Sequence, residues 1–158
     1  MAKLLKNGLS VTFLFLVLLS LSACDKDKKK PQDVYFFESG DIQIINPWLR
    51  KMPQGVSNTA GFMTVQNSSD KPLILEDVSI EWANMGMIHE SKVVDGMAKM
   101  LHQDQLEIID QLEFKPGGLH IMVMGVKEPL ETNQRYNILL HFAGREPLAV
   151  PFQVRQAK

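Results

Sequence analysis

Residues 115–125 read Lys-Pro-Gly-Gly-Leu-His-Ile-Met-Val-Met-Gly, and this stretch indicates how the chain folds. Its first four residues predict a tight turn, because proline fixes φ at about −65° and glycine tolerates a positive φ. Residues 119–124 then alternate as a strand does when successive side chains point to opposite faces of a sheet. We therefore expect a turn followed by a β-strand with His120, Met122 and Met124 on one face.

Short apolar-alternating runs of the same kind recur from residue 34 onward, with turn residues between them. The predicted strands are residues 42–49, 60–66, 73–80, 85–93, 97–101, 106–109, 119–124, 136–142 and 148–154. Spacings of roughly 8–12 residues between such runs are typical of a β-sandwich or barrel. We therefore expect an all-β domain over residues 34–158.

The composition is that of one domain with a short additional segment. The chain has 158 residues, 17 basic against 18 acidic side chains, a net charge of −1 and one cysteine. This balanced charge argues against a nucleic-acid-binding protein, which would carry a basic surface. The single cysteine excludes an internal disulfide, a Cys-x-x-Cys redox pair and a thiolate zinc cluster.

Residues 1–23 have the pattern of an export signal. Two lysines precede an apolar run over residues 11–19, which is shorter than the ~20 residues that a spanning helix needs. The run ends in Leu-Ser-Ala-Cys24, which resembles the bacterial lipobox, where the cysteine is diacylated and becomes the new N-terminus. The alternative is an ordinary secretory signal with an incidental cysteine.

Residues 24–33 are predicted to be a lipidated cysteine followed by a charged tether. Residues 25–33 contain four lysines and three aspartates and no apolar residue, a composition that favours a solvated segment. Acyl chains on Cys24 would anchor the protein to a membrane without a spanning helix. Asp25 resembles the signal that retains lipoproteins at the inner membrane of enteric-type bacteria. We therefore expect the protein at the periplasmic face of a bacterial membrane, the inner one being favoured.

Two of the predicted strands, and the segment 96–102 that contains a third, combine histidine with methionine. Because strands have a period of two, histidines and methionines that lie two residues apart in one strand share a face. These sets are Met85, Met87 and His89; Met100 and His102; and His120, Met122 and Met124. A single methionine in a strand is usually core filler, and a lone histidine is more often structural. A core built for packing would nevertheless favour Leu, Ile or Val over imidazole at these positions.

The donor types favour binding of Cu(I). Thioether sulfur is a soft, neutral ligand that selects Cu(I), and imidazole suits copper and zinc alike. Structural zinc sites prefer thiolates, and calcium or magnesium sites prefer clustered carboxylates, which these strands lack. A donor set without cysteine is also suited to an oxidising compartment, where free thiols would be consumed.

The sequence resembles the periplasmic copper chaperone family called PCuAC, whose hallmark is His-x10-Met-x21-His-x-Met. Ten residues separate His89 from Met100, as in the family, and His120 and Met122 reproduce the closing His-x-Met. Between Met100 and His120 lie 19 residues rather than 21, for which a trimmed hairpin within residues 103–113 is the simple explanation. The resemblance also covers residues 48–50, 60–67 and 88–90, and spans nearly the whole chain after residue 41.

The resemblance implies a cupredoxin-like Greek-key β-barrel or sandwich with Cu(I) near its surface. The implied ligands are His89, Met100, His120 and Met122. Further candidates, including replacements for Met100, are Met87, Met97, His102 and Met124. The fourth histidine, His141, has no methionine two residues away and is left outside the site.

The resemblance also implies a metallochaperone, which we expect to be a monomer. An enzyme is not expected, because no Ser/His/Asp or paired-carboxylate arrangement stands out in the sequence. The expected partner of the chaperone is a copper-receiving oxidase subunit with a CuA or related centre, reached directly or through a Sco-type chaperone. Two other interpretations remain open. One is a copper storage or resistance lipoprotein, and the other is an Ig-like scaffold lipoprotein without metal, in which the methionines belong to the core.

Overall fold

The computed structural model describes residues 36–156, which form eleven β-strands and no helix. The strands are β1 Phe36–Ser39, β2 Ile42–Arg50, β3 Thr59–Asn67, β4 Leu73–Ser79, β5 Ala83–Val94, β6 Met97–His102, β7 Leu106–Ile108, β8 Gln111–Phe114, β9 Leu119–Val126, β10 Arg135–Phe142 and β11 Leu148–Arg155. The all-β prediction is confirmed, and each of the nine predicted strands corresponds to an observed one. The predicted export signal and tether, with Cys24 and Asp25, lie outside the described residues. In the described part of the chain, no helix is long and apolar enough to cross a membrane.

The strands join into one mixed sheet in the order β6-β5-β9-β3-β2-β11-β10-β4-β7. Off this path, β1 pairs with β2 and β8 pairs with β3. The contact between β11 and β2 is parallel, whereas the pairs on either side of it are antiparallel. Within residues 36–156 the two terminal strands, β6 and β7, do not pair with each other, so the expected barrel is not closed by hydrogen bonds.

The sheet folds over so that its two halves share one core. Strand β5 lies near one end of the path and β4 near the other, yet a Cβ added to Gly86 of β5 would lie 3.2 Å from the Val78 side chain of β4. The same Cβ would lie 2.8 Å from the side chain of Ile80, just beyond β4. Glycine at this position therefore lets the two halves approach closely.

Alternation along the strands decides which side chains enter the core. In β9, Ile121 and Val123 are fully buried, and the methionines beside them are partly exposed. Burying an Ile or Val side chain contributes about 1.5–3 kcal/mol. The register of β9 is thus fixed by its apolar face, and the histidine and methionine side chains are placed on the outer face as a consequence.

Two turns position the strands that carry histidine. Asp95 and Gly96 join β5 to β6 with φ values of 55° and 76°, as a two-residue type I′ turn requires. The predicted turn over residues 115–118 is confirmed, with Gly117 at φ 78° and the Gly118 N–H donating to the Lys115 carbonyl at 3.1 Å. This second turn connects β8 to β9, and both of these strands pair with β3.

Residues 103–113 do not form the expected trimmed hairpin. They contain β7, which pairs with β4, and most of β8, which pairs with β3. Two contacts hold this segment against the core. Ile108 is buried, and the Asn67 amide donates to the carbonyls of Ile108 and Ile109, at 3.1 and 2.9 Å. The chain between Met100 and His120 therefore crosses between two strands of the sheet instead of forming a hairpin.

Candidate metal centre

Three neighbouring strands carry one histidine each, in a row across the sheet. His89 of the central strand β5 lies opposite His102 of β6 and opposite His120 of β9. The ring centroid of His89 lies 5.7 Å from that of His102 and 6.1 Å from that of His120, both edge to face. Because a bond between a metal ion and an imidazole nitrogen is about 2 Å long, neighbouring rings at these distances are close enough to share a metal ion.

Methionines flank this row on the same side of the sheet. Met87 pairs with Met122, Met85 pairs with Met124, and Met100 lies opposite Ser91, two residues beyond His89. We call these outward side chains of β5, β6 and β9 the donor face. Its members are Met85, Met87, His89, Met100, His102, His120, Met122 and Met124. Of the implied ligands, Met100, His120 and Met122 line a common cavity of about 270 Å³.

His89 is the central and least satisfied member of the donor face. Among the described residues, its Nδ1 is the buried side-chain polar atom without a hydrogen-bond partner. Burial lowers the pKa of His89, and the neighbouring imidazoles of His102 and His120 lower it further. The ring is therefore held in its neutral form, which is the form that binds metals.

His120 is oriented by the backbone of the turn over residues 115–118. Its side chain is 7% exposed, and its Nδ1 lies 2.9 Å from the Gly118 carbonyl oxygen. Because a carbonyl oxygen can only accept, Nδ1 carries the proton and Nε2 keeps a free lone pair. The same carbonyl accepts the Ser91 backbone N–H at 3.1 Å, which ties the turn to β5. A histidine with one nitrogen fixed in this way is typical of a metal ligand.

The other candidate ligands divide between the two faces of the sheet formed by β5, β6 and β9. His102 is directly opposite His89, with its Nε2 3.4 Å from a carboxylate oxygen of Asp104. Met97 pairs with Val94 and, by the period of two, faces away from the donor face. The structure therefore brings His102, Met87 and Met124 to the row of histidines, and it does not bring Met97 there.

Among residues 36–156, no group of three or more His, Cys, Asp or Glu side chains is positioned to hold a metal ion. In the described arrangement, a metal ion bound at the donor face would therefore need thioether sulfur as well as imidazole nitrogen. This requirement fits the implied set of two histidines and two methionines. It also matches the preference of Cu(I) for soft ligands.

An aromatic and cationic rim beside the site was not predicted from the sequence. The rings of Trp48 and Phe62 lie 4.5 Å apart, and the Arg50 guanidinium carbon lies 5.5 Å from the Phe62 centroid. Arg50 and Phe62 line the same cavity as Met122. The signal that could have placed Trp48 and Arg50 is the period of two, which puts both on one face of β2.

Comparison with known proteins finds a family model that matches most of the chain. The family model described as "Putative lipoprotein LpqE-like" matches residues 42–154. One relative is "Putative lipoprotein Lxx21020" of Leifsonia xyli subsp. xyli (strain CTCB07). It is 27% identical over 148 residues, which are 90% of this chain and 88% of that protein.

Solved structures share the fold. The copper-bound PCuAC domain from PmoF2 matches with a TM-score of 0.65 at 20% identity, over 78% of this chain and 99% of that domain. The solution structure of CuI-DR1885 from Deinococcus radiodurans matches with a TM-score of 0.55 at 26% identity, over 70% of this chain and 76% of that one. These likenesses confirm the predicted cupredoxin-like β fold.

Proposed function

The chain belongs to the LpqE-like family, and we propose that it is a carrier of Cu(I) outside the cytoplasm. One observation carries this proposal. The unpaired Nδ1 of His89 is buried within a face where His120, Met122 and Met100 line a common cavity. The copper-bound state of two proteins with the same fold supports it.

The proposed ligands are His89, Met100, His120 and Met122. Neutral imidazole and thioether donors hold Cu(I) without adding charge, and they release it to a site with thiolates, which are stronger ligands for Cu(I). Met100 is 64% exposed, so the ligands of a partner can reach the metal before it leaves. These features favour stepwise ligand exchange over long-term sequestration, and therefore delivery over storage.

We infer that the recipient is a copper centre of a respiratory oxidase, CuA or related, reached directly or through a Sco-type chaperone. The lipoprotein family name supports attachment to a membrane outside the cytoplasm, with Cys24 as the lipidated residue and Asp25 favouring the inner membrane. We propose that the chain acts as a monomer and carries its metal as cargo rather than as the cofactor of an enzyme.

A Cu(I) titration against a chromophoric chelator tests the proposal. The full-length chain is used with Cys24→Ser, because a free thiolate at Cys24 would itself bind Cu(I). We expect one tight equivalent, which is lost when His120→Ala and Met122→Leu are combined, since this removes one donor of each kind. The matched control combines His141→Ala with Met52→Leu, which removes the same groups outside the donor face and should retain binding. Equal, weak binding by all three proteins would favour the scaffold interpretation.

A further inference from the structure

We propose that Arg50 and Arg155 dock an acidic surface of the protein that receives the copper. This inference rests on the proposed function, because it names the surface chemistry of the recipient for the same donor face. We call the outward side chains of Trp48, Arg50 and Arg155 the arginine patch. The patch lies on β2 and β11, which are two and three strands away from β9 in the sheet.

The register of two neighbouring strands places the two arginines side by side. Arg155 of β11 pairs with Arg50 of β2, and neighbouring strands lie about 5 Å apart. The preceding residues, Leu49 and Val154, are fully buried, so both arginines point outward. Like charges directly opposite each other destabilise a sheet. The fold therefore holds two positive charges together at a cost that an external anion would reduce.

Within residues 36–156, neutral groups are the partners of both arginines. Arg155 donates from Nη1 to Oδ1 of Asn46 at 2.7 Å and from Nε to Oε1 of Gln153 at 3.2 Å. The Arg50 guanidinium lies over the Phe62 ring, and neither arginine forms a salt bridge in this part of the chain. Partial burial lowers the pKa of Arg155. A carboxylate of another protein would supply the missing charged partner.

The arginine patch is continuous with the cavity of the donor face. Arg50 and Phe62 line that cavity together with His120 and Met122. On its other side Phe62 packs against Trp48, with the ring centroids 4.5 Å apart. Tryptophan and arginine are among the residues most enriched at the energetic centres of protein interfaces. A protein docked on Arg50 would therefore cover the ligands from which it takes the copper.

The composition of the arginine patch favours a protein carboxylate over a lipid headgroup. A planar guanidinium binds a carboxylate through two parallel hydrogen bonds. Recognition of anionic lipids typically takes a cluster of about four to eight basic side chains, whereas the patch has two. Glu113, opposite Thr64 on the same face of the sheet, is already paired with Lys115 at 2.7 Å. The expected occupant therefore carries Asp or Glu side chains beside the thiolates that take the copper.

Transfer of Cu(I) to two matched peptides tests the inference. Each peptide contains two cysteines, which are flanked by four glutamates in one and by four glutamines in the other. The full-length chain with Cys24→Ser is loaded with Cu(I), and stopped-flow absorbance follows the transfer. The copper stays Cu(I), and the two thiols release their protons to the solvent as they bind it.

We expect transfer to the glutamate peptide to be faster at low ionic strength. The expected difference is about tenfold, the lower end of the range for electrostatic steering. It should disappear at ~1 M salt, where charges are screened beyond about 3 Å. Combining Arg50→Gln with Arg155→Gln should abolish the preference, and the Cu(I) affinity of each variant is measured separately. Arg50→Gln alone, which breaks no hydrogen bond within the described residues, should reduce the preference while the bonds of Arg155 remain.

The matched control combines Lys71→Gln with Lys127→Gln. Both lysines are exposed and lie outside the donor face and the arginine patch. This control removes the same total charge and should retain the preference for the glutamate peptide. An equal loss of preference in the control would show that net charge alone matters, and the docking role of the arginines would then be wrong.

The remaining outcomes separate this inference from the proposed function. Equal transfer to both peptides from a chain that binds Cu(I) would overturn the inference and leave the proposed function intact. Loss of Cu(I) affinity in the double arginine variant would show that the arginines act on the metal site rather than on docking.

Two further measurements test the class of partner. Arginine-dependent binding to vesicles of phosphatidylglycerol and phosphatidylcholine, without a preference between the peptides, would assign the patch to a membrane and overturn the inference. Arginine-dependent binding of the glutamate peptide by a chain that does not bind Cu(I) would support docking of an acidic protein and overturn the proposed Cu(I) function.

Discussion

At the scale of single residues, one member of the donor face lowers the stability of the fold. The buried Nδ1 of His89 has no partner, and an unsatisfied buried group of this kind costs about 1–3 kcal/mol. His120 differs, because its Nδ1 is bonded to the Gly118 carbonyl and its Nε2 is left for a ligand. A metal ion bound by His89 would therefore remove the energetic cost of its unpaired Nδ1. At His120 the ion would bind a ring that is already oriented.

Gly125, which follows Met124 in β9, is expected to tolerate no side chain. Its φ is 65°, and an added Cβ would lie 2.8 Å from Asn84 Cγ. Gly125→Ala should therefore lower the free energy of unfolding by about 2–5 kcal/mol, the sum of left-handed strain and overpacking. Urea denaturation measures this change.

Gly144→Ala is the matched control for that substitution. Gly144 also has a positive φ, 68°, but an added Cβ would meet no atom within 4 Å. Gly144→Ala should therefore lower the free energy of unfolding through backbone strain alone, by about 1–2 kcal/mol. Equal losses of stability in the two variants would show that contact with Asn84 contributes nothing.

At the scale of strands and turns, the sequence predicted the strands that alternate over several residues. It missed the four-residue strands β1 and β8, although it predicted β7, which is only three residues long. It also could not predict that residues 103–113 cross between two distant strands, because this depends on the buried contacts of Ile108 and on the Asn67 amide. Pairings between residues far apart in sequence leave no local signal.

Part of the candidate site could have been predicted more closely from the same sequence. Asp95-Gly96 is a strong signal for a two-residue hairpin, and counting outward from it places His102 opposite His89 and turns Met97 to the other face. The distance between His89 and His120 could not be predicted in this way. It depends on the pairing of β5 with β9, whose intervening chain includes β6, β7 and β8.

At the scale of the whole molecule, distant loops are joined by a bidentate ion pair. Arg145, between β10 and β11, donates to both carboxylate oxygens of Asp41, which lies between β1 and β2. The hydrogen bonds from Arg145 lower the pKa of Asp41 from its usual 3.8 to about 2. The side chains are 38% and 27% exposed, so solvent screening limits the contribution of the pair to about 1 kcal/mol or less.

This pair predicts a dependence of stability on pH. Since folding lowers the pKa of Asp41, the stability that the ionised carboxylate contributes is fully present above its ordinary pKa of 3.8 and is lost as the pH falls toward 2. Asp41→Asn should therefore reduce the free energy of unfolding by up to about 1 kcal/mol at pH 7 and by little near pH 2.

Urea denaturation at both pH values measures the effect of Asp41→Asn. Glu146→Gln, an exposed neighbour of Arg145, removes the same charge without breaking the pair and should change stability by less than about 0.5 kcal/mol at either pH. A loss in Asp41→Asn that is equally large at pH 2 would show that its cause is not the ionised carboxylate.

The central claim, that the donor face holds Cu(I) with two imidazoles and two thioethers, is tested most directly by X-ray absorption at the copper edge. The Cu(I)-loaded full-length chain with Cys24→Ser should show two sulfur and two nitrogen scatterers. Combining Met100→Leu with Met122→Leu should remove the sulfur shell. A parent spectrum without sulfur, or a sulfur shell that survives loss of both methionines, would contradict the proposed site.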